Sequence, residues 1–525
     1  MSRRAGLLLP LFSAASSRSW GIGELPDLAS FAEWLAAAGF TRLMILPMGT
    51  MAAGDTSPYS AVSAMAIDPI YIALDDVGDF ARAGGIDALP AEARDALDEA
   101  RASAIVRYDR IRAAKQEAFD RAFAQFLADE WEQLTTRAAS FAAYIGRERW
   151  WLDDYALYQA IARATGASDW RTWPERLRTR DNGAMDEARR QLSRDVLRQQ
   201  YLQWIAETQW QEARVTARTH GVSVVGDLPF VVGHESADVW ARQHEFWLNV
   251  STGAPPDAFS DTGQDWKLPT YDWQTIARTD YDWLRQRARR MAALYDGFRV
   301  DHLVGFYRTY GKPPVGEAFF SPGDAATQVH QGERILRIFQ ESGAAILAED
   351  LGTVPDYVRA SMTRLGVPGS KVLRWERHWR DAGQPFIDTT AYPATSVALT
   401  GTHDTEPIAL WWDAAPSPER MAFAAQRAVQ VRGGVDPAQP FNDRIRDLVL
   451  ELAYSSASED VFVTMPDLFG WRDRINTPGL VSEVNWTWRL PWAVDRLMHV
   501  REALDRARAI HTVASANGRL EYPRP

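Results

Sequence analysis

Three short segments, far apart in the chain, each place a carboxylate at the end of an apolar run. The segments are 297–302, 346–352 and 399–404, and they end in Arg-Val-Asp-His, Glu-Asp-Leu-Gly and Thr-His-Asp. Each has the pattern of a short buried β-strand whose C-terminal end turns polar, and in a (β/α)8 barrel that end is the catalytic face. Paired carboxylates serve glycoside chemistry, one as nucleophile and one alternating between acid and base. The three tips therefore predict one active site.

Arg299 and Asp301 are two residues apart on the first of these strands. Residues two apart on a strand face the same side, so Arg299 can hold Asp301 ionised and oriented, which suits a nucleophile. The alternative is a buried structural ion pair. His302 alternates away from this face and either supports the site or ends the strand.

Glu349 and Asp350 are adjacent, and strand alternation lets only one of them point into the barrel. A general acid needs a carboxyl whose pKa is raised by apolar or anionic surroundings. We assign Glu349 to chemistry and Asp350 to structure, the alternative being a surface pair in which Asp350 caps the next helix. His403 and Asp404 either bind sugar hydroxyls near the reacting carbon or cap a helix.

Eight apolar runs have the pattern of buried parallel strands, and segments with helical periodicity lie between many of them. Alternating strands and helices imply a parallel sheet covered by helices, and eight strands are the number that a barrel needs. We therefore predict an α/β fold, a (β/α)8 TIM barrel. The predicted strands are 43–46, 70–74, 222–225, 298–300, 345–348, 371–374, 397–400 and 461–464, and two of the predicted helices are 28–38 and 354–365.

Uneven spacing of the strands predicts insertions within one elaborated barrel that spans 1–525. The stretch from about 90 to 221 is charged and mostly helical, and we interpret it as an inserted helical subdomain. A loop-rich segment, about 233–286, is expected to cover the substrate, and a shorter insertion runs from about 310 to 332. Long loops on the catalytic face of a barrel are where specificity is built.

Composition narrows the classes of partner. The net charge of −11 and the pI near 5.4 argue against nucleic acid or an anionic membrane. The absence of cysteine excludes disulfides and thiolate metal sites. The apolar run at the N-terminus ends at Pro10, too early for a signal peptide, and no uninterrupted run of 18 apolar residues exists, so a cytoplasmic protein is expected. The 22 Trp, 16 Tyr and 21 Phe offer flat apolar surfaces that suit sugar rings.

Several further motifs, taken with the three tips, resemble the α-amylase clan and specifically the 4-α-glucanotransferase family, also known as amylomaltases or disproportionating enzymes. They occur in the same order as in the family, and the resemblance covers nearly the whole chain. It implies a barrel enzyme that acts on α-1,4-glucans. The motifs are Asp-Thr-Ser-Pro-Tyr at 55–59 with Ser63 and 68–69, Gly-Asp-Leu-Pro-Phe-Val at 226–231 with 236–240, the covering loop at 255–273, Pro-Gly-Ser-Lys-Val-Leu at 368–373, and 476–479 with 485–489.

Carried over position by position, the resemblance implies three catalytic carboxylates. Asp301 is expected to be the nucleophile, Glu349 the acid/base and Asp404 the stabiliser of the transition state. Asp227 is similar to the strand-tip acid that supports the family's site.

The resemblance further implies a set of residues that bind the sugar. Tyr59 is expected to stack on the reacting sugar, with Arg299 and His403 around it. Asp257 and Trp266 are expected on the loop over the cleft. The complete set is Tyr59, Asp227, Asp257, Trp266, Arg299, His302, His403 and Asn476.

The chain departs from the family pattern at a few positions near these motifs. Where the family has Trp-Gly-x-Pro the chain has Trp-Lys-Leu-Pro at 266–269, and where it has His-Asp-Asn-Asp-Thr the chain has His-Asp-Thr-Glu-Pro at 403–407. Ser370 and Arg374-Trp375 replace a Met and a Gln-Phe. Because a Gly allows backbone shapes that Lys267 cannot easily adopt, one hypothesis is that a changed loop shape sets which acceptor competes with water. The alternative is that Lys267 simply points to solvent.

The function predicted from these residues is retaining transfer of glucosyl or maltooligosaccharyl units between α-1,4-glucans through a covalent glucosyl-enzyme. An α-glucan or disaccharide hydrolase with the same catalytic residues is one alternative. A non-catalytic glucan-binding barrel is another, and retention of all three carboxylates argues against it. Maltooligosaccharides or other α-1,4-glucans are the expected partners, and neither a cofactor nor a metal ion follows from this chemistry.

Overall fold

Twelve strands occur in the part of the chain that the computed structural model describes, which is residues 3–52, 54–256, 262–480 and 482–520. They are β1 (Arg4–Leu8), β2 (Arg42–Met44), β3 (Ser223–Leu228), β4 (Phe246–Ala254), β5 (Gln264–Tyr271), β6 (Gly297–Val300), β7 (Thr309–Lys312), β8 (Phe319–Ser321), β9 (Ala345–Ala348), β10 (Gly369–Val372), β11 (Ser396–Leu399) and β12 (Asp460–Thr464).

Twenty α-helices accompany these strands within the same ranges. They are α1 (Asp27–Ala37), α2 (Gly78–Arg82), α3 (Ala91–Ala102), α4 (Tyr108–Phe126), α5 (Thr136–Thr165), α6 (Glu175–Arg178), α7 (Asn182–Gln191), α8 (Ser193–Thr219), α9 (Ala237–Ala241), α10 (Trp273–Arg278), α11 (Asp282–Leu294), α12 (Val304–Tyr307), α13 (Ala325–Glu341), α14 (Asp356–Leu365), α15 (Ile408–Ala414), α16 (Ser417–Ala425), α17 (Arg427–Gln430), α18 (Asp443–Ser455), α19 (Met465–Phe469) and α20 (Arg501–Ala516).

Eight of the strands close into one parallel barrel, in the order β1-β12-β11-β10-β9-β6-β3-β2. The predicted fold, a (β/α)8 barrel, is confirmed. Seven of the eight predicted strands overlap barrel strands, with ends that agree to within two residues except at 222–225, where β3 continues to Leu228. The apolar residues of these strands are buried on both sides of the sheet, as in other parallel sheets.

Two strand predictions need correction. Segment 70–74 is not a strand: Pro69–Tyr71 and Leu74–Asp76 are 3-10 turns, and the Asp68 carboxylate accepts a hydrogen bond of 3.0 Å from the peptide N–H of Ile70. The barrel position predicted for this segment is occupied by β1, which pairs with β2 and β12. The prediction at 371–374 is two residues late, because β10 begins at Gly369.

The second and third predicted insertions contain one antiparallel sheet with strand order β5-β4-β7-β8. The prediction of a mainly loop-like segment at 233–286 is therefore wrong for β4 and β5, which pair through most of their length with two irregularities of register. Pairing of β4 with β7 joins the two insertions. In the stretch that we predicted as helical, α3 to α8 occupy most of 91–219.

None of the helices in the described ranges is both long enough and apolar enough to cross a membrane.

Candidate active site

The register of the barrel brings four charged residues side by side. Asp227 in β3 lies opposite Arg299 in β6, and Val300 lies opposite Ala348 in β9. Asp301 and Glu349, one residue beyond each member of the second pair, are therefore neighbours at the strand tips. Adjacent parallel strands that end at the same level place their tips together, which is why carboxylates 48 positions apart in sequence can share one site.

Arg299 is the centre of this group. Its Nη1 donates to Asp227 and, at 3.2 Å, to Asp301 Oδ1, and its Nη2 lies 3.1 Å from Glu349 Oε2. Arg299 and Asp227 are buried, whereas Asp301 and Glu349 are partly exposed. Burial lowers the pKa of Arg299, but Asp227 and Glu349 outweigh it and raise that pKa above its usual range, so the guanidinium stays charged. The predicted contact of Arg299 with Asp301 is confirmed, and Arg299 also binds the second carboxylate.

Asp301 and Glu349 both contact Arg299, but their pKa values shift in opposite directions. Burial, together with the nearby carboxylates of Glu349 and Asp227, raises the pKa of Asp301 well above its usual range despite Arg299. Burial also acts to raise the pKa of Glu349, but Arg299 and the peptide N–H of His302, which donates at 2.7 Å to Glu349 Oε2, bring it below its usual value.

Asp350 faces away from the site, as strand alternation predicts. Its Oδ1 accepts a hydrogen bond of 2.7 Å from the peptide N–H of Ser370 at the start of β10. It does not cap α14, which begins after Pro355. Of the Glu-Asp pair, only Glu349 contacts Arg299.

Asp404 follows β11 and is held from two directions. Asn476 Nδ2 donates to Asp404 Oδ1 at 2.6 Å, and His403 Nε2 lies 3.2 Å from Asp404 Oδ2. Burial acts to raise the pKa of Asp404, but His403 and Asn476 outweigh it and lower the pKa to about 2. Arg474 donates to the Asp404 carbonyl at 3.2 Å. Asp404 is therefore an anion held in a fixed orientation.

An aromatic wall joins Asp404 to Asp227. The Tyr59 hydroxyl donates to Asp227 Oδ2 at 2.7 Å and lies 3.0 Å from His403 Nε2. The rings of Tyr59 and His403 stack with centroids 5.4 Å apart. Trp486 packs against both rings at 5.7 and 5.8 Å. Trp486 lies in one of the sequence motifs but was not among the predicted site residues, because spacing alone does not bring 59, 403 and 486 together.

Trp266 and His302 contact each other beside Glu349. The Trp266 ring meets the His302 ring edge to face with centroids 4.7 Å apart, and the peptide N–H of His302 is the one that binds Glu349. Burial lowers the pKa of His302 to about 4, so its ring is neutral at physiological pH. The predicted residue Asp257 lies outside the described residues.

Lys267, next to Trp266, has a φ of +60°, in the left-handed region that favours glycine. Lys267 therefore adopts a conformation that glycine adopts more readily, and the hypothesis that loop shape sets the acceptor stays a prediction. Asp265 holds this turn: its Oδ1 accepts from the Lys267 peptide N–H at 3.1 Å, and its Oδ2 lies 2.5 Å from Lys267 Nζ. The Lys267 side chain is 81% exposed, which supports the alternative that it points to solvent.

Two departures from the family pattern contact each other. Arg374 Nη1 donates to the carbonyl and the carboxylate of Glu406 at 2.7 and 2.9 Å, and its Nη2 donates to the Thr400 carbonyl at 3.2 Å. Thr400 and Glu406 flank the loop that carries His403 and Asp404. The buried Arg374 guanidinium thus bridges both ends of this loop.

Within the described ranges, no three His, Asp or Glu side chains are arranged to hold a metal ion. The site instead contains the carboxylates of Asp227, Asp301, Glu349 and Asp404, one charged guanidinium and a wall of aromatic rings. A carboxylate pair of this kind, bound by one cation and lined by rings, suits attack on a glycosidic carbon with proton transfer to the leaving oxygen.

The family model described as 4-alpha-glucanotransferase matches residues 9–495 of this chain. Curated relatives with the same description include proteins of Chlamydia pneumoniae, 30% identical over 94% of this chain and 93% of the relative, and of Synechocystis sp., 32% identical over 97% and 99%. The protein of Thermus thermophilus is 31% identical over 96% of this chain and 99% of the relative.

Among solved structures, the amylomaltase from Streptococcus agalactiae in complex with acarbose superimposes with a TM-score of 0.80. The identity is 23%, and the match covers 99% of this chain and 100% of that one. At this identity the superposition bears on the fold alone, and it agrees with the barrel described above.

Proposed function

Because this chain belongs to the 4-alpha-glucanotransferase family and transfers glucosyl units between α-glucans, we propose that Asp301, Glu349 and Asp404 are its catalytic residues. Asp301 is the nucleophile, Glu349 the general acid and base, and Asp404 the anion that binds the sugar in the transition state. The observation that carries these roles is that one buried guanidinium, Arg299, binds both Asp301 and Glu349 at adjacent strand tips.

In the first half of the reaction an Asp301 oxygen attacks the anomeric carbon, and the bond from that carbon to the glycosidic oxygen breaks. Glu349 gives its proton to this oxygen, so the leaving glucan departs with a free 4-hydroxyl. In the second half the 4-hydroxyl of another glucan attacks the glucosyl ester, Glu349 takes its proton, and Asp301 leaves as a carboxylate. Two inversions give net retention, which calls for carboxyl groups about 5–5.5 Å apart.

The proton of the carboxyl pair must lie on Glu349 when the reaction begins, although without substrate the pKa of Asp301 is the one that burial and the nearby carboxylates raise. Developing positive charge at the anomeric carbon favours the anionic form of Asp301, and the glycosidic oxygen beside Glu349 accepts the proton. The two apparent pKa values in the pH dependence of kcat/KM therefore belong to Asp301 and Glu349 as a pair and not to either residue alone.

The remaining site residues position the sugar. Tyr59, whose ring stacks on His403, contacts the sugar, and His403 and Asn476 fix the Asp404 carboxylate. Asp227 keeps Arg299 in place. Trp266 covers the side where Glu349 lies, and exclusion of water there favours a sugar hydroxyl as the second nucleophile. Maltooligosaccharides are both donor and acceptor in this scheme.

Incubation of the protein with maltotriose, followed by measurement of all products, tests this function. Transfer gives saccharides both shorter and longer than maltotriose while the number of reducing ends stays constant. Hydrolysis raises the number of reducing ends without longer products, and a non-catalytic glucan-binding barrel gives no products. Asp301→Asn is the control, because an amide is a poor nucleophile and all turnover should disappear. Turnover that survives in this variant would overturn the assignment of Asp301.

A further inference from the structure

Tyr59 lies in a long loop that follows β2. Two isolated antiparallel bridges, Gly49 with Ile67 and Met51 with Ala61, bring the two sides of this loop together, and Tyr59 lies beyond them. Gly49 allows the close approach, because a Cβ atom there would lie only 2.9 Å from the Ala61 Cβ. The position of the Tyr59 ring therefore depends on the groups that hold the base of the loop. We call this segment the Tyr59 loop, and its described residues are 49–52 and 54–68.

The amide of Gln203 in α8 binds the base of the Tyr59 loop. Its Oε1 accepts a hydrogen bond of 3.0 Å from the peptide N–H of Ile67, and its Nε2 donates to the Ile67 carbonyl at 2.7 Å. A glutamine amide contains both an acceptor and donors, so it can bind a residue of the backbone at both groups as a neighbouring strand would. Gln203 is only 1% exposed, so loss of its amide would leave two buried backbone groups without this partner.

Asp68 joins the two ends of the Tyr59 loop. Its Oδ2 accepts from the peptide N–H of Met51 at 3.0 Å, and its Oδ1 accepts from that of Ile70 at 3.0 Å. Arg112 of α4 donates to Oδ1 and Oδ2 at 3.3 and 2.8 Å, so the charge of the fully buried Asp68 is paired. Both ends of the loop thus meet at one carboxylate, and a helix of the insertion holds that carboxylate.

Two further contacts hold the loop from other elements. The Tyr155 hydroxyl of α5 lies 3.0 Å from Thr50 Oγ1, which adds a third helix of the insertion to α4 and α8. On the side of the barrel, Asp238 Oδ2 in α9 accepts a hydrogen bond of 2.6 Å from the peptide N–H of Ala64. The base of the loop is therefore fixed by side chains from four helices.

The Tyr59 loop transmits these contacts to the catalytic group. The Tyr59 hydroxyl binds Asp227, Asp227 binds Arg299, and Arg299 contacts both Asp301 and Glu349. A shift at the base of the loop would move the Tyr59 ring and remove one of the partners of Asp227. Misplacement by about 1 Å, caused far from the reacting atoms, can cost about 100-fold in rate.

We propose that Gln203, together with the ion pair of Arg112 and Asp68, positions Tyr59 for glucosyl transfer. These residues act through Tyr59 and are positioning residues, and in this way the inserted helical stretch acts on the reaction. The proposal rests on the proposed function, because that function places Tyr59 in contact with the sugar.

Gln203→Met tests the proposal, because it removes both hydrogen bonds and keeps the length of the side chain. Gln209→Met is the matched control: Gln209 is also buried in α8, and its amide binds the N–H and the carbonyl of Ala73, both at 2.9 Å, beyond the Tyr59 loop. Both variants should lower the melting temperature by similar amounts, because each leaves two buried backbone groups without a partner. Only Gln203→Met should lower kcat/KM for transfer with maltotriose, by about 10- to 100-fold.

Tyr59→Ala shows whether the effect passes through Tyr59. Once this ring is absent, adding Gln203→Met should change kcat/KM by less than twofold, because residues that act through one group are not additive. A kcat/KM within twofold of normal in Gln203→Met, an equal loss in Gln209→Met, or the full additional loss in the double variant overturns the proposal. If Gln203→Met does not fold, Arg112→Met takes its place with the same expected results.

Failure of the proposed function gives a different result from failure of the positioning role. An unmodified protein that forms no longer saccharides from maltotriose, or a Tyr59→Ala variant with normal kcat/KM, contradicts the proposed function and the positioning role with it. Normal transfer in the unmodified protein, a loss in Tyr59→Ala and normal values in Gln203→Met contradict the positioning role alone.

Discussion

At the residue scale, the site depends on one cation shared among three carboxylates. Arg299 contacts Asp227, Asp301 and Glu349, so the cluster of four carries more negative than positive charge. An excess of buried negative charge favours protonation of one carboxyl, and this is how a site keeps an acid and a nucleophile together at neutral pH. Burial acts to raise the pKa of Asp404, but His403 and Asn476, with a smaller contribution from Arg299, lower it to about 2, so Asp404 adds a further negative charge near the pair.

The roles of the carboxylate pair lead to different responses to a change of leaving group. Asp301→Asn removes the nucleophile and should abolish turnover of both maltotriose and an α-glycosyl fluoride. Glu349→Gln keeps a competent nucleophile but removes the proton donor, so activity should fall about 10²- to 10⁴-fold with maltotriose and be partly rescued with the fluoride. Rates with both donors are measured for both variants. Identical responses would show that the roles are wrongly assigned.

Arg374 is expected to act on catalysis by fixing the loop that carries Asp404. Arg374→Met removes donors to the Thr400 and Glu406 carbonyls, and loss of such charged hydrogen bonds should lower kcat about 10- to 100-fold with little change in KM. Arg374→Lys should restore part of kcat, and Glu406→Gln, which keeps a neutral acceptor, should have the smaller effect. The melting temperature separates misfolding from misplacement. A kcat within twofold of normal in a folded Arg374→Met protein contradicts this expectation.

At the scale of elements, the features best predicted from the sequence are those visible within a few consecutive residues. The tips of β6, β9 and β11 are predictable because a buried strand followed by charge is visible in a few residues. The strand β1 was overlooked because a five-residue apolar run at the N-terminus looks like many others, and only its pairing with β2 and β12 gives it a place.

Contacts between distant segments could not be predicted from spacing. Asn476 was identified only from the family resemblance, and its hydrogen bond to Asp404 joins positions 72 residues apart. In the sequence, Arg374 and Glu406 are two unrelated departures from the family pattern. In the fold, β10 pairs with β11 and the two residues form an ion pair. The antiparallel sheet was missed because β4 mixes polar and apolar residues without strict alternation.

The left-handed conformation of Lys267 within β5 predicts the outcome of placing glycine there. Lys267 already has the left-handed conformation, so Lys267→Gly relieves backbone strain of about 1–2 kcal/mol and loses an exposed ion pair worth about 0–1 kcal/mol. The ratio of transfer to hydrolysis should stay within twofold of normal, and the melting temperature should not fall. Trp266→Ala, in contrast, uncovers the side of Glu349 and should lower transfer more than hydrolysis. Product ratios with maltotriose measure both, and a large shift in Lys267→Gly would return the loop shape to a role in acceptor choice.

At the scale of the whole molecule, a buried ion pair joins the long helical stretch to the barrel. Lys115 in α4 lies 2.5 Å from Glu24, which follows β1, and donates to the carbonyls of Ile70 and Ile72 at 2.6 and 2.7 Å. Both side chains are almost completely buried. Lys115 thus connects three segments: α4, the connection between β1 and α1, and the 3-10 turns at 69–76.

This pair gives the stability of the protein a defined dependence on pH. Burial raises the pKa of Glu24 from 4.5 to about 8, so stability associated with this carboxyl is complete below about pH 4.5 and is lost as the pH rises through about 8. Lys115→Met leaves the Ile70 and Ile72 carbonyls without their donor at every pH, which should cost roughly 1–3 kcal/mol. It also removes the cation that acts to lower the pKa of Glu24, so the loss should grow from about pH 8 upward, where Glu24 ionises only beside Lys115. At pH 5 the loss should be smaller, since Glu24 is neutral there in the folded state and loses little by being so. Urea unfolding followed by tryptophan fluorescence at both pH values measures this difference. The double variant Glu24→Leu/Lys115→Met removes the titrating group and should recover stability at pH 8 relative to Lys115→Met. An equal loss at both pH values, with no recovery in the double variant, would show that the pair does not link the helices to the barrel in this way.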